Sequence, residues 1–508
     1  LSRPAYAQTA ATLAGTVLDT TGAVLPNVRL TLKGSPGRVG RSQPDGRFVF
    51  TDLPPGNYEL TAALEGFATL RRWVAVIRGE SLDLTLVLTP GLSEQMVVTA
   101  DKTGEREAQR TPIAVTVLPA AEIRRAEVHT IADLAVSAPA LTFSQNTGFA
   151  QVTIRGIGTN AVFAGSDPSS TVYVDGVYLA RPAGVLGDFL DLERVEVLRG
   201  PQGTLYGRNA VGGAVNLVTR TPTNTTDVSG RVVVGSSDLL RSDLRVSGPI
   251  IQNRLLGSVA VLRGVRAGTV RNLEHPDNRL GGEDVTALST KLDWAFSRAG
   301  SLLLSVDAMR QEPVPLVYSR VLGVKPGFAV QNPPDLHEVR ANTRAWSDRK
   351  HGGGSARVTL RLAPAVVLTS VTAFRKLDYE LVVDADITEL DLTISNVREI
   401  HQQWSQEVTV AGQTRRTSWV AGIFVFDEAD RQPTRVPFPT AGRENQLDPD
   451  VSASSRAAFG QASFRLAPRL SATTGLRFTR EHKTIDNAGR FVTIGPTPTV
   501  LPATSYSY

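Results

Sequence analysis

Residues 199–216, RGPQGTLYGRNAVGGAVN, constrain the fold more than any other stretch. Gly200, Gly203, Gly207, Gly212 and Gly213 free the backbone for turns and close approaches that a Cβ would block. Pro201 fixes its own φ among them. The run lies between two alternating apolar segments, RVEVL (194–198) and AVNLVT (214–219). The order is therefore strand, tight glycine turns, strand. A phosphate loop is excluded, because GxxxxGK[ST] needs a Lys that this run lacks, and the spacing fails for a dinucleotide fingerprint.

Alternation dominates the second half of the chain. Leu240, Ser242, Leu244 and Val246 fall on one face of a strand, with Arg241, Asp243, Arg245 and Ser247 opposite. Leu288, Leu292, Trp294 and Phe296 likewise oppose Ser289, Lys291 and Asp293. Such dyads suit transmembrane strands with an apolar lipid face and a polar lumen face. No blade-sized repeat supports a soluble propeller. Mean hydropathy lies near zero, and no run of about 20 apolar residues predicts a membrane-spanning helix. About eleven strand-like segments of roughly ten residues are expected after residue 222. Residues 264–285, 310–350, 376–402 and 427–455 read as long outer loops.

The rest of the composition removes other function classes. With no cysteine, disulfides, thiol nucleophiles and thiolate metal sites are excluded. The six histidines are scattered, and neither HExxH nor GxSxG occurs, so no enzyme is expected. The net charge of +5 comes from dispersed residues, which disfavours nucleic-acid binding.

Residues 8–90 read as a small β-sandwich of short strands with Gly, Pro and Asp turns. The order GTVLD, GAVLP, DGRFVF, LPPGNYEL, GF resembles the carboxypeptidase regulatory-like domain. Phe48, Phe50, Tyr58 and Phe67 are expected in its core, and Asp45-Gly46 at a hairpin turn. Ahead of it, Ala5-Tyr6-Ala7 has the small-x-small form of a secretory cleavage site. Residues 1–7 are accordingly expected to be the remnant of a signal peptide, cut after Ala7.

Residues 104–221 mix short helices and strands. Thr130 is placed to cap a helix that Pro139 ends, and Asp175-Gly176 to turn a hairpin. IRGIG (with Arg155 and Gly156), VYVDGVYL (with Asp175 and Gly176) and the glycine run occur in one order. The run itself contributes Arg199, Gly200, Pro201, Gly203, Tyr206, Gly207, Arg208, Asn209, Gly212, Gly213 and Asn216. This constellation closely resembles the plug signature of TonB-dependent outer-membrane receptors.

The resemblance implies a mainly β protein: a sandwich, an α/β plug at 104–221, and an antiparallel transmembrane barrel from 222. A plug needs a lumen of about 22 strands, which takes roughly 500 residues, more than 222–508 supply. The expectation is a partial barrel whose C-terminal half is missing, unable as it stands to insert or transport.

The linker 91–103 contains EQMVVTA: Glu94, Gln95, Met96, Val97, Val98, Thr99 and Ala100. By the resemblance it is a TonB box, extended and unpaired at rest, that lends its backbone to a partner's sheet edge. The partners implied are TonB with its inner-membrane energising complex, outer-membrane lipid and a small-molecule or chelate substrate, with the receptor a monomer. No cofactor is implied beyond a metal carried in the substrate.

The function implied is active import of a scarce nutrient, a ferric siderophore or similar chelate. Import of a glycan, and an adhesin or signalling receptor anchored by the barrel, are the alternatives. Gln145, Asn146, Phe149, Asn160 and Phe163 are the candidate substrate contacts. Localisation is expected in the outer membrane, with the sandwich and box in the periplasm.

Overall fold

A computed structural model describes residues 11–33, 38–64, 67, 70–77, 79, 81–88, 97–98, 106–107, 114–146, 148–160, 163–315, 333, 335, 337–414, 416–467, 470–487, 490–493 and 504–507. The chain forms two compact units, residues 1–97 with 106–110, and residues 98–105 with 111–508.

The first unit is a two-sheet sandwich. Arg47–Leu53, Ala11–Asp19 and Ser81–Leu88 form one sheet, and Arg38–Arg41, Arg29–Lys33, Gly56–Ala63 and Leu70–Val76 the other. Strict alternation sends Leu13, Val17, Leu30, Leu32, Leu60 and Leu86 into the core between them. Phe48, Phe50 and Tyr58 are buried there, with Phe67 packed at its edge. Asp45-Gly46 does sit in a tight turn, closed by Gly46 N–H on Gln43 O at 2.9 Å. It does not join a paired hairpin, because Arg38–Arg41 and Arg47–Leu53 belong to different sheets.

In the second unit an inner α/β domain is built on a five-stranded sheet. Its order is Ala114–Pro119, Leu192–Arg199, Gly213–Thr219, Ser170–Val174, Val177–Tyr178. The helix Ala120–Arg125 buries Ile123. The helix Ile131–Ser137 begins at a capping box, with Thr130 and Asp133 satisfying each other's backbone donors, and buries Ile131 and Leu134.

Around this domain runs an antiparallel wall. Eleven strands of nine or more described residues follow in order: Asp227–Gly235, Leu239–Ile251, Leu255–Arg266, Glu283–Ser297, Gly300–Gln311, Trp346–Ala363, Val366–Asp384, Ile394–Gln413, Thr417–Arg431, Pro449–Ala467 and Leu470–Asn487. Among the described residues no pairing joins the first of these to the last. The faces are inverted relative to a soluble sheet. Leu240, Leu244 and Val246 point outward at 45–47% exposure, while Arg241, Arg245 and Ser247 are buried against the inner domain.

The strands are longer than the alternation suggested. Val366–Asp384 has 19 residues and Ile394–Gln413 has 20, about 60 Å at 3.3 Å per residue, whereas the apolar band of a bilayer is about 25 Å. The wall therefore continues past the hydrocarbon, where the outer face meets water and the outward-apolar dyad lapses, with Leu377, Tyr379, Leu381 and Val383 turned inward instead. The outer loops shrink to residues 267–282, 312–345, 385–393 and 432–448. The last carries its own hairpin, Thr434–Phe438 with Arg443–Leu447.

Gly213 shows why the signature run is so rich in glycine. Its φ is +147°, and a Cβ there would lie 2.1 Å from Leu198 O. Gly213→Ala is expected to break the ladder between Leu192–Arg199 and Gly213–Thr219. Limited proteolysis of the assembled receptor should then cut within residues 199–216, which stay protected in the parent.

Candidate functional site

The signature residues converge where the inner domain meets the wall. After the Gly203–Tyr206 helix, Gly207 turns at φ +79°, and a Cβ there would strike the Arg477 guanidinium at 2.6 Å. The backbone thus lies directly against the strand Leu470–Asn487. Asn209 donates from Nδ2 to Tyr178 Oη at 3.1 Å, and the Tyr173 hydroxyl donates to Tyr206 O at 2.7 Å. Tyr206, Tyr173, Tyr178 and Phe426 follow one another at ring spacings of 5.0, 5.5 and 5.9 Å. Burial pushes the Tyr178 hydroxyl up to about 12 and raises Tyr173 as well, so both tyrosines stay neutral, Tyr173 as a donor and Tyr178 as an acceptor. Asn216 donates to the buried Glu196 at 3.2 Å, and Arg194 grips the same carboxylate at 2.8 Å.

This aromatic line ends at a buried charge cluster. Arg181, 3% exposed, donates from Nη2 to both oxygens of Glu428 at 3.0 Å and from Nη1 to Asp430 at 3.3 Å. Arg208 donates to Asp167 at 2.7 Å, lies 3.7 Å from Glu428 and stacks over Phe426. His401 stands 3.2 Å from Glu428. Lys483 reaches across from the wall to Asp167 at 3.0 Å and to Gly165 O at 2.5 Å. Burial works against the Arg181 cation, but Glu428 and Asp430 outweigh it and raise its pKa further. Arg208 is likewise raised, burial being outweighed chiefly by Asp167.

The sequence reading included Arg208 but missed Arg181, Glu428, Asp430, His401 and Lys483. A signal was present: Phe424, Phe426, Glu428 and Asp430 alternate onto one face of FVFDEADR, and acidic residues on a lumen face call for cations opposite.

A second attachment uses the Asp175-Gly176 hairpin, with φ of +50° and +82°. Asp175 accepts from Thr219 N and Oγ1 at 2.9 and 2.6 Å and from Lys291 Nζ at 3.0 Å. Burial pushes the Asp175 carboxyl up, but Lys291 and these hydrogen bonds prevail and hold it below the usual range. The remaining signature positions are structural. Arg155 and Gly156 turn with positive φ after Phe149–Ile154. Gly200 N–H donates to Gly212 O at 2.9 Å, drawing the two ends of the run together, with Arg199 closing the strand before it and Pro201 exposed.

The expected substrate residues divide. Gln145 and Asn160 are exposed, and Phe163 is 64% exposed. Asn146 Nδ2 donates to Asn160 Oδ1 at 3.2 Å, and Gln151, overlooked in the sequence, joins Asn160 to Ser144. Phe149 departs from expectation. It is 2% exposed and packs edge-on against Tyr379 of the wall at 5.9 Å, while Arg349 stacks on Tyr379 and binds Gly148 O. It anchors the hairpin of Leu141–Asn146 and Phe149–Ile154 and presents nothing to solvent. In the linker, Glu94, Gln95, Met96, Thr99 and Ala100 lie outside the described residues. Val97–Val98 pairs with Arg106–Glu107 in a two-residue ladder, where an unpaired tether was expected.

A globular stopper fastened by buried charge within an antiparallel wall that turns its apolar face outward defines a plugged β-barrel. The comparisons agree. Residues 107–214 match the TonB-dependent Receptor Plug Domain, and residues 12–89 the Carboxypeptidase regulatory-like domain. The pesticin receptor of Yersinia pestis is 37% identical over 199 residues, 39% of this chain and 29% of that protein. The catecholate siderophore receptor Fiu of Escherichia coli K12 is 34% identical over 100 residues, 20% of this chain and 12% of Fiu. The structure of the ferric yersiniabactin uptake receptor FyuA from Yersinia pestis superimposes with a TM-score of 0.66 at 23% identity, over 79% of this chain and 61% of that one. P. aeruginosa FpvA gives 0.60 at 17%, over 83% and 59%. The chain thus spans less than a third of these curated relatives and under two thirds of these solved structures. Its inner domain is thus similar to the plug of the TonB-dependent receptors, and its plug and wall share the fold of these outer-membrane β-barrel receptors.

Removing one partner from the buried cluster strands the others. Arg181→Ala should loosen the plug by about 3–5 kcal/mol, read as a lower-temperature plug transition in calorimetry of the full-length receptor. Arg181→Ala combined with Glu428→Gln and Asp430→Asn should recover part of that loss.

Proposed function

We propose that the full-length protein is an outer-membrane importer, energised through TonB, whose cargo is a ferric siderophore or a similar metal chelate. The observation that carries this reading is the plug and its buried fastening. A lumen stoppered in this way passes nothing of nutrient size by diffusion, so passage requires work on the plug, and the outer membrane has no nucleotide supply. Energy delivered from the inner membrane through residues 94–100 answers that need. The Val97–Val98 ladder fits such a role, because two residue pairs are easily exchanged for a partner's sheet edge.

The cargo class is supported by the names of the relatives, a ferric yersiniabactin receptor and a catecholate siderophore receptor among them. Cargo is received on the exposed surface around Gln145, Asn146, Gln151, Asn160 and Phe163. The sandwich and the box face the periplasm, where TonB and its energising complex are the partners, and the receptor acts as a monomer. A glycan cargo is the second reading, favoured by the N-terminal domain match alone. Growth of the full-length strain on defined ferric chelates, against oligosaccharides as sole carbon source, separates the two.

Val98→Pro removes a backbone donor and should abolish uptake while cargo binding at the cell surface is unchanged. Uptake equal to the parent would favour a barrel used only as an anchor. Phe163→Ala should weaken surface binding and leave plug stability unaltered, whereas Phe149→Ala should destabilise the plug by about 3–5 kcal/mol through the cavity it leaves.

A further inference from the structure

The plug is tied to its wall unevenly. Toward the first strands it makes Glu127–Arg231, Asp188–Arg241, Asp191–Arg245 and Asp175–Lys291 ion pairs at 2.6–3.1 Å. Toward the later strands it is held by Gln403, Glu428, Asp430 and Lys483, which lie in the half of the wall nearer the long loops. Between these anchorages, the half of Trp346–Ala363, Val366–Asp384 and Ile394–Gln413 nearer the short turns stands off from the plug. A cavity of about 700 Å³ fills the gap, lined by Tyr173, Tyr206, Arg361, Thr369, Glu407 and Ala411 among others. The wall behind it is continuous, with Val367 paired to Ala411, Thr369 to Thr409 and Val371 to Glu407. Its volume falls in the range of sites for small organic molecules, about 300–1,000 Å³. One end reaches the short turns at Pro364, Ala365 and Gln413, and the other stops at Asp175 and Gly176.

That hairpin is a two-residue turn latched from the wall. Lys291 holds the Asp175 carboxylate at 3.0 Å, and the Arg357 guanidinium binds the Asp175 carbonyl. The rungs behind it, Tyr173 with Tyr178 and Val174 with Val177, belong to the plug sheet. The tip can therefore leave the wall without the sheet coming apart. A Cβ on Gly176 would meet nothing nearer than Arg357 Nη2 at 3.6 Å, so Gly176 is not packed against the wall, and Asp175 is tied otherwise only to its own sheet, at Leu217 O and Thr219.

We infer that this cavity is the inner half of the transport passage, and that the Asp175-Gly176 hairpin, held by Lys291 and Arg357, is its last barrier. The inference rests on the import reading. Cargo leaving the upper site passes along this side of the plug, while the ion pairs to the described strands on either flank stay fastened. The lining of tyrosine, threonine, arginine and glutamate suits a polar chelate that slides without lodging.

The test is ion conductance of the full-length receptor in planar bilayers with KCl as the probe. It requires no cargo and no energy source, so an error in either part of the import reading leaves it decidable. The parent should be closed. Lys291→Ala with Arg357→Ala should give discrete openings, and so should the milder Asp175→Asn, which guards against misfolding of the double variant. Because the chain has no native cysteine, Thr369→Cys or Ala411→Cys placed in either background reports on the path alone. A charged methanethiosulfonate added from the short-turn side should reduce the current several-fold at these positions. Ser229→Cys, in a separate cavity of about 410 Å³ beside the helix Ala120–Arg125, should leave the current unchanged. No openings in either latch variant, or openings indifferent to modification at 369 and 411, would overturn the inference.

Discussion

The contact between Arg181 and the paired acids Glu428 and Asp430 is the interaction on which the second unit depends. A guanidinium 3% exposed, facing carboxylates with side chains at 0%, is tolerable only while both sides are present. The charges come from different domains: Arg181 follows the Val177–Tyr178 strand of the plug, and the acids lie on the wall strand Thr417–Arg431. Neither surface could be left dry without the other. The bond therefore specifies where the plug sits as much as it stabilises it. The nearby Arg208 and Lys483 bring the count of charges toward balance, and with His401 they fix the plug's rotation through directed hydrogen bonds.

The aromatic line from Tyr206 through Tyr173 and Tyr178 to Phe426 connects that cluster to the glycine-rich signature. Its hydroxyls satisfy backbone and Asn209 groups in the same dry region, so packing and hydrogen bonding are met by the same side chains. The glycines let the backbone of residues 199–216 come close enough to Arg477 and Ser170 for this line to reach the wall. A motif legible as a string of small residues is thus the condition for a polar interface elsewhere.

How much of this could be read from the chain differs by the kind of signal. The strand pair around the glycine run, the Thr130 cap, the Asp175-Gly176 hairpin and the outward Leu240, Leu244 and Val246 follow from local rules of turn chemistry and period two. Strand ends did not, because beyond the bilayer both faces are polar at His401, Gln402 and Gln403, and at Leu377, Tyr379, Leu381 and Val383 the apolar residues turn inward, so the outward-apolar pattern does not continue. Phe149 was misplaced for a related reason. An aromatic beside a turn looks like a ligand platform until Tyr379, more than 200 positions later in the chain, covers it. The partners of Arg181 were invisible for the same cause: ion pairs between positions 181 and 430 leave only a one-sided hint in each strand.

These scales of interaction bear on how a plug can be both firmly held and movable. Buried pairs that break singly are costly, about 3–5 kcal/mol each, so displacing the whole plug at once would mean breaking the Arg181, Arg208, Lys291 and Lys483 contacts together. A mechanical pull delivered at one end of the chain instead loads contacts in sequence, and along the described strands the side with fewest fastenings yields first. The side facing Thr369 and Ala411 has a cavity in place of ion pairs and a two-residue hairpin in place of a packed edge. Partial release there starts at the Lys291 and Arg357 contacts and leaves Asp175 tied to Leu217 and Thr219 of its own sheet, while the Arg181 cluster keeps the plug registered for its return.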